Sequence, residues 1–556
     1  MVNNEILILA AYGVYLVLDA AAVCIAAIPF LHMLQLESYQ GRMYLKWLGK
    51  HKGQCIDTLM VGGACLMLRI AGAILGTSLG TWVWRGGDLL YTAIMLVFGL
   101  AALRKQKEAK KPLVYTSRVK RLFIPLFLLV LFGSVMRLKL QNIYLTQLQS
   151  GIPPWGGWAD YGVWPELVRF LPGILLPFTV FIAYLLTWPV ERLVQNWYIN
   201  DAKKRLLHNP ELIRIGITGS FGKTSTKYAL GTLLVEKYST LFSPGSFNTP
   251  MGITRIIREK LMPEHQVFIA EMGARYTGDI EELCRLVEPK YGIITAVGKQ
   301  HLETFGSLDN VISTKAELLL NLPEDGVCFL NGDDPICKDI YEMRPLKEKY
   351  LFGTQGEGLY MKAQNISVGP DGSHFELVGE GGVSIPCTTA LLGRHNILNI
   401  AGAAALAYYL GLTGDEIAEG ISKLEPVEHR LQLISGAVTV IDDAFNANPV
   451  GAGEALEVLK SFTGRRIIVT PGMVELGEEQ AQLNREFGAH MADCADIAIL
   501  IGPNGQDMEE GLIEAGFPAE CLLRVDTLAQ ATEKLPLYQE AGCVVLFEND
   551  LTDNYS

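Results

Sequence analysis

The stretch GITGSFGKTSTKY, residues 216–228, decides how the second half of this chain is read. A short apolar run, RIGIT, leads into a loop with glycines at 219 and 222, followed at once by Lys223, Thr224, Ser225 and a helical pattern. Backbone N–H groups of such a loop, and the N-terminus of the helix behind it, attract phosphate oxygens. Lys223 adds a point charge, and the Thr224 hydroxyl can ligate Mg²⁺. The spacing is a shortened form, because Ile217 stands where the longer phosphate-loop pattern carries its first glycine. Two readings stand at this point: a nucleotide site built from Gly219, Ser220, Gly222, Lys223, Thr224 and Ser225, or a structural turn.

Downstream, short apolar runs (QVFIAEMG, YGIITAV, RRIIVTPG, IAILIG, CVVLF) alternate with stretches of helical period such as DIEELCRLV. That alternation predicts parallel sheets covered by helices, an α/β fold. Polar alternation at about 355–390 predicts a small antiparallel insert, and no repeat of solenoid period is evident. Glu271 closes the run VFIAE, and a carboxylate at the carboxyl end of a parallel strand faces the crevice where ligands bind. It reads either as a metal ligand or as a glutamate satisfied by hydrogen bonds at the edge of the core.

Upstream the composition changes. Five apolar segments, at about 6–34, 55–84, 88–103, 122–136 and 170–190, predict a helical transmembrane bundle, since about 20 apolar residues cross a hydrocarbon core. The first lacks a basic leader and a small-residue cleavage site, so it reads as a retained span. With the N-terminus outside, the inner loops carry Arg42, Lys46, Lys50 and Lys52, then Arg104, Lys105, Lys107, Lys110, Lys111, Arg118, Lys120 and Arg121. The outer loops hold only Arg85, Arg137 and Lys139. This bias predicts a multi-pass protein of the cell membrane whose chain beyond about residue 190 lies in the cytoplasm, where ATP is available. Arg69 lies inside an apolar segment with Asp57 near its cytoplasmic end, and reads either as functional or as a snorkelling or paired charge. The loop GIPPWGGWADYGVWPE carries Trp155, Trp158, Tyr161 and Trp164, an interfacial belt or a carbohydrate platform.

In all, 556 residues predict several domains: a transmembrane helical domain at 1–195, a nucleotide domain at 196–425 and a C-terminal α/β domain at 426–556. The net charge of -12 offers nothing to a nucleic-acid backbone, which sets nucleic acid aside as a partner. The ten cysteines show no CxxC pair and no metal-ligand spacing, and read as small apolar residues in a reducing compartment.

An ordered series then narrows the function: TGSFGKTSTK, SFNTPMGITR, EMGARYTGDIEEL, GKQHLETFGSLDNVISTKAEL, NGDDP, LLGRHNILNIAGAAALA, EHRLQLI, DDAFNANPVG and GMVELGE. In this order they resemble the Mur ligase family, the ATP-dependent enzymes that build the peptide stem of peptidoglycan. DDAFNANP and GMVELGE are most similar to its MurF type. The resemblance covers about residues 211–510. It implies a central ATPase domain followed by a Rossmann-like C-terminal domain, with ATP and Mg²⁺ as cofactors. It implies that Lys223 holds the β and γ phosphates, and that Thr224 and Glu271 ligate Mg²⁺. It further implies that His301 serves a second Mg²⁺, and that Lys315 becomes an anionic metal ligand once carbamylated by CO₂. On the residues alone, Lys315 reads as a solvated helix lysine.

By the same resemblance Asn396 reads adenine, with His395 packing beside it, Arg430 contacts the γ-phosphate and Asp442 the ribose; Asp443 can take the place of Asp442. Asn248, Asn446 and Asn448 are substrate-side positions, or for the last two Asx turns that shape a loop. The reaction implied is attack of a substrate carboxylate on the γ-phosphate of ATP to give an acyl phosphate, then attack by an amine to form an amide. The partners implied are a cell-wall precursor, UDP-linked or lipid-linked, an amino acid or dipeptide, and the lipid bilayer.

Two departures from the resemblance are evident. The membrane bundle stands where the MurF type keeps a domain that grips the uridine nucleotide. The chain ends LFENDLTDNYS in place of a basic KGSR-like segment. Three functions therefore stay open: a membrane-anchored amide ligase of the MurF type, a poly-γ-glutamate-synthase-like ligase making another envelope polymer, and a catalytically silent membrane scaffold. Intact Lys223, Thr224, Glu271, His301 and Lys315 speak against the third, and the NANP and MVELGE motifs favour the first over the second.

Overall fold

A computed structural model describes residues 2–53, 60, 62–67, 78–108, 111–149, 158–299, 302–369, 371–444, 448–474 and 476–549. It divides into two units, Met1–Gln195 and Asn196–Ser556.

In the second unit the run RIGIT lies within β1 (Ile213–Thr218), in the interior of a nine-stranded sheet. The other strands are β2 (Thr240–Phe242), β3 (Val267–Glu271), β4 (Tyr291–Ile294), β5 (Val327–Asn331), β6 (Glu348–Gly353), β7 (Met361–Gly369), β8 (Gly372–Gly379) and β9 (Ser384–Thr389), in the spatial order β2-β3-β1-β4-β5-β6-β7-β8-β9. The strands from β2 to β7 pair in parallel. β7, β8 and β9 pair antiparallel. The antiparallel stretch expected at about 355–390 is thus continuous with the main sheet through β6.

β3 and β5 are buried at every residue, which is why they read as unbroken apolar runs: helices cover both faces. Val267 and Ile269 of β3 pack into one core with Leu230, Leu233 and Ile400; Phe268 and Ala270 point the other way, into a core with Leu283 and Leu318. Alternation with a period of two therefore distributes one strand over two cores.

A second sheet follows, with β10 (Gln432–Ile434), β11 (Thr439–Asp443), β12 (Arg466–Thr470), β13 (Ile497–Ile501), β14 (Leu522–Val525) and β15 (Val544–Glu548), in the order β10-β11-β15-β12-β13-β14. It is parallel except for the edge strand β10. Leu456, Phe487, Met491 and Leu512, from three helices, cover one face. In register, Asp443 and Glu548 stand side by side at the carboxyl ends of β11 and β15.

The first unit is helical: Val2–Ala26, Ile28–Leu36, Gly41–Lys50, Ser78–Glu108, Ser117–Gln149, Trp158–Ile174 and the first part of Leu176–Leu207. Among the described residues one helix segment, Ser117–Leu140, is long and apolar enough to cross a membrane. Two bent pairs join it if each counts as one span: Ala10–Ala26 with Ile28–Leu36 at 42°, and Glu166–Ile174 with Leu176–Leu207 at 85°. The described helices thus supply one to three spans where five are expected. Most of 55–84 lies outside the described residues. The segment 88–103 forms part of the helix Ser78–Glu108, which has a basic last turn and is not among the candidate spans found over the described residues. Arg69, Asp57 and Trp155 also lie outside the described residues, as do the side chains of Trp158, Tyr161 and Trp164.

Arg137, expected in an outer loop, is buried inside the helix Ser117–Gln149. Its Nε donates to Glu166 at 3.1 Å and its guanidinium stands 3.5 Å from Asp88. Arg169, also buried, pairs with Asp88 and lies 3.4 Å from Asp19, whose other oxygen accepts from Thr92 at 2.5 Å. Each buried charge has an opposite partner, the condition under which an apolar bundle tolerates charge.

Candidate functional site

The loop after β1 is shaped by close approach. Gly219 (φ 153°) and Gly222 (φ 78°) occupy backbone conformations that side chains avoid, and a Cβ at either would meet Thr295 Oγ1 at 2.1 Å or Asn399 Oδ1 at 2.3 Å. The Ser220 N–H donates to Ala296 O at 2.6 Å and its hydroxyl to Gly298 O at 3.1 Å, tying the loop to the chain after β4. Gly222 is the N-cap of the helix Lys223–Val235, so the helix N-terminus opens at the loop, with Ser225 in its first turn.

Lys223 Nζ donates to the loop's own carbonyls, Gly219 O at 2.7 Å and Ser220 O at 2.9 Å. Burial pushes this amine down to about 8; Glu271 opposes that shift and the Arg430 guanidinium adds to it. The loop thus holds a cation that it solvates poorly, the condition for a strong gain on meeting phosphate.

Glu271 is the hub. Thr224 Oγ1 donates to its Oε1 at 3.1 Å, as does Asn248 Nδ2 at 3.1 Å, while Lys227 Nζ pairs with Oε2 at 3.1 Å. Lys227 also donates to Ser243 Oγ at 3.3 Å and to the Gly245 carbonyl. Asn248, read as a substrate-side position, is thus held on the Glu271 carboxylate. The sequence reading missed Lys227; its signal was a second lysine one helical turn after Lys223, on the same helix face. Thr224 and Glu271 make an all-oxygen donor set beside a phosphate loop, which suits a hard cation such as Mg²⁺.

Lys315 sits in the helix Leu308–Asn321 and is buried. Burial first, and the Lys223 charge second, hold its amine well below the usual lysine range. It is therefore not the solvated lysine that its residue pattern suggests. His301 lies outside the described residues, as does Asn446.

From the C-terminal domain, Arg430 NH2 reaches Thr224 Oγ1 at 3.4 Å. Asp442 Oδ2 stands 2.8 Å from His429 Nδ1, a partner the sequence reading did not single out. Its neighbour Asp443 is spent on the Leu431 N–H at 3.2 Å, and burial raises its carboxyl above the ordinary range. Asn396 is buried and donates to Leu392 O at 2.7 Å. His395 Nδ1 lies 3.6 Å from Glu454 of the C-terminal domain. Asn448 caps the helix Pro449–Lys460, accepting from Gly451 N at 2.9 Å, a contact that shapes the loop. One cluster therefore gathers the phosphate loop, Lys223, Thr224, Glu271, Asn248 and Arg430.

Comparison with known proteins agrees with this geometry. Residues 217–407 match the Mur ligase middle domain, and 429–548 match the Mur ligase, glutamate ligase domain. The UDP-N-acetylmuramoyl-tripeptide--D-alanyl-D-alanine ligase of Bacillus subtilis (strain 168) is 31% identical over 347 residues, covering 60% of this chain and 72% of that one. The crystal structure of MurF from Acinetobacter baumannii superposes with a TM-score of 0.59 at 28% identity, over 64% of this chain and 77% of that one. MurF ligase from Thermotoga maritima in complex with ADP gives 0.58 at 25% identity, over 64% and 80%.

Proposed function

The chain belongs to the Mur ligase family of ATP-dependent peptide ligases, and from that premise we propose that it is a membrane-anchored ligase of the MurF type. It activates a substrate carboxylate as an acyl phosphate and joins it to an amino acid or dipeptide, in the making of a peptidoglycan or other cell-envelope precursor. Residues 196–425 form the ATP-binding domain and 426–556 the C-terminal domain. The observation that carries this reading is the convergence of Thr224, Asn248 and Lys227 on Glu271, with Arg430 arriving from the C-terminal domain.

In this mechanism Lys223 leaves the Gly219 and Ser220 carbonyls for the β and γ phosphates of ATP. Thr224 and Glu271 would hold Mg²⁺, which when bound neutralises charge on the phosphates. Lys227 holds the Glu271 carboxylate in place through its ion pair, and Arg430 adds a guanidinium at the transferred group. Burial and the Lys223 charge push the Lys315 amine well below the usual lysine range, the direction that favours the free lone pair that addition to CO₂ requires, so the carbamate implied by the resemblance fits this amine. The incoming amine attacks the carbonyl carbon of the acyl phosphate, forming the amide bond as the bond to phosphate breaks and inorganic phosphate leaves, while the C-terminal domain, through Arg430 and Asp442, shields the acyl phosphate from water.

A phosphate-release assay on the full chain tests the reading, comparing UDP-N-acetylmuramoyl-tripeptide with D-alanyl-D-alanine, a lipid-linked muramoyl-peptide precursor with the same dipeptide, and glutamate alone. Turnover with either muramoyl acceptor supports the MurF type, and turnover with glutamate alone supports a poly-γ-glutamate-type ligase. No turnover with any pair, together with unchanged nucleotide affinity in Lys223→Ala, refutes the enzyme reading. For the membrane anchor, a reporter fused after residue 160 is expected outside the cell; a cytoplasmic signal overturns that topology.

A further inference from the structure

Apart from the ligase site, the C-terminal domain carries a second group of ligating side chains. His490 and Cys494 are four residues apart on the helix Gln480–Cys494, which places both on one face. Glu457, on the helix Pro449–Lys460, lies opposite: its Oε1 is 3.0 Å from His490 Nε2 and 3.9 Å from Cys494 Sγ. The ligating atoms of all three residues lie within 4.8 Å of one another. The His490 ring lies over Gly453, one turn before Glu457, where a Cβ would stand 3.7 Å from its Nδ1 and Cε1.

From these contacts we infer that Glu457, His490 and Cys494 form a binding site for a borderline-soft divalent cation of the Zn²⁺ class. The donor set decides the class. A thiolate and an imidazole select zinc-like ions over Mg²⁺ or Ca²⁺, and one carboxylate completes three protein ligands. Bond lengths to Zn²⁺ of about 2.0–2.3 Å in a tetrahedron put neighbouring ligand atoms about 3.3–3.8 Å apart. The observed 3.0 and 3.9 Å bracket that spacing, and the His490–Cys494 pair lies within 4.8 Å, so modest side-chain shifts would bring the three ligands onto one ion.

Access and protection are both present. Cys494 is buried beneath the pair, while the side chains of His490 and Glu457 are 37% and 54% exposed, leaving a fourth position open to water. A cation bound there would pin the helix Gln480–Cys494 to Pro449–Lys460, whose Asn448 cap follows β11 and Asp442. Sequence spacing hides this site, because its carboxylate comes from a helix 33 residues earlier than the histidine.

Cobalt titration of the purified full chain, stripped of metal, tests the site. The expected result is thiolate-to-cobalt charge-transfer absorption with tetrahedral d–d bands, both abolished by equimolar Zn²⁺. A Co²⁺ ion at the oxygen-lined Thr224–Glu271 site would not give that charge-transfer band. Cys494→Ser should lose it. His490→Ala and Glu457→Gln, at exposed positions that leave folding intact, should each weaken Co²⁺ binding about tenfold or more, as loss of a direct ligand costs at least what loss of an outer one does. The inference is overturned if saturating Co²⁺ gives no charge-transfer band, if Cys494→Ser keeps it, or if either exposed variant leaves the affinity unchanged. None of these outcomes depends on the ligase activity.

Discussion

Lys223→Arg is expected to remove the alkaline limit on nucleotide binding, because that limit comes from the lysine's own titration. Burial holds the Lys223 amine down at about 8, with Glu271 opposing and Arg430 reinforcing the shift. The charge is therefore complete near neutrality and is lost as pH rises through about 8. Phosphates bound beside it restore the proton, so binding above that pH must take one up. At about pH 9 roughly one molecule in eleven is charged, which predicts an about elevenfold weaker apparent affinity for ADP, or about 1.4 kcal/mol. Arginine stays charged throughout this range, so the variant should bind with a nearly flat pH profile, even though its forked head makes it a weaker ligand near neutrality. Calorimetry in two buffers of different ionisation enthalpy reads both quantities. Wild-type protein should take up almost no proton at about pH 7 and about 0.9 per ADP at about pH 9. Unchanged affinity across this range, or an arginine variant with the wild-type slope, would refute the assignment of the limit to Lys223.

Glu271→Ala strands the buried Lys227 ammonium; thermal melts should show a loss on the order of 3–5 kcal/mol, with Glu271→Gln milder. Arg430→Ala should lower kcat on the order of a hundredfold with a smaller effect on nucleotide Kd, because the residue reaches Thr224 from another domain; equal losses in both would place it in ground-state binding. Glu548 is buried, and burial first, with Asp443 second, raises its carboxyl to about 8. The folded state thus keeps a proton that the unfolded chain releases, and stability falls as pH rises from the ordinary carboxyl range through about 8. Glu548→Gln should escape a fall of about 4–5 kcal/mol, visible as melting curves that converge with wild type in acid and separate toward pH 8.

Much of the ligase site was legible because its chemistry is contiguous. The loop from Gly219 to Thr224 needs glycines where side chains cannot fit, a lysine for phosphate and a hydroxyl for a cation, all within six residues. Glu271 was legible from its place at a strand end. Lys315 was not: its helical pattern reads as solvated, and only the packing of Leu308–Asn321 into the core buries it. That Asn448 caps a helix opened by Pro449 was legible only as one of its two readings. The five-span expectation rested on apolar runs, and charges such as Arg137 and Asp88 turned out to lie inside helices, paired with one another.

The order of elements, the apolar periods of two and of helical spacing, and the local phosphate loop belong to the sequence itself, because each is set by neighbours within a few residues. The Lys227–Glu271 pair, the reach of Arg430 to Thr224, the shifted amines of Lys223 and Lys315, and the Glu457–His490–Cys494 cluster belong to the tertiary structure. Each depends on distance and desolvation between residues far apart in the chain, and those quantities come into being only when the sheets and helices pack.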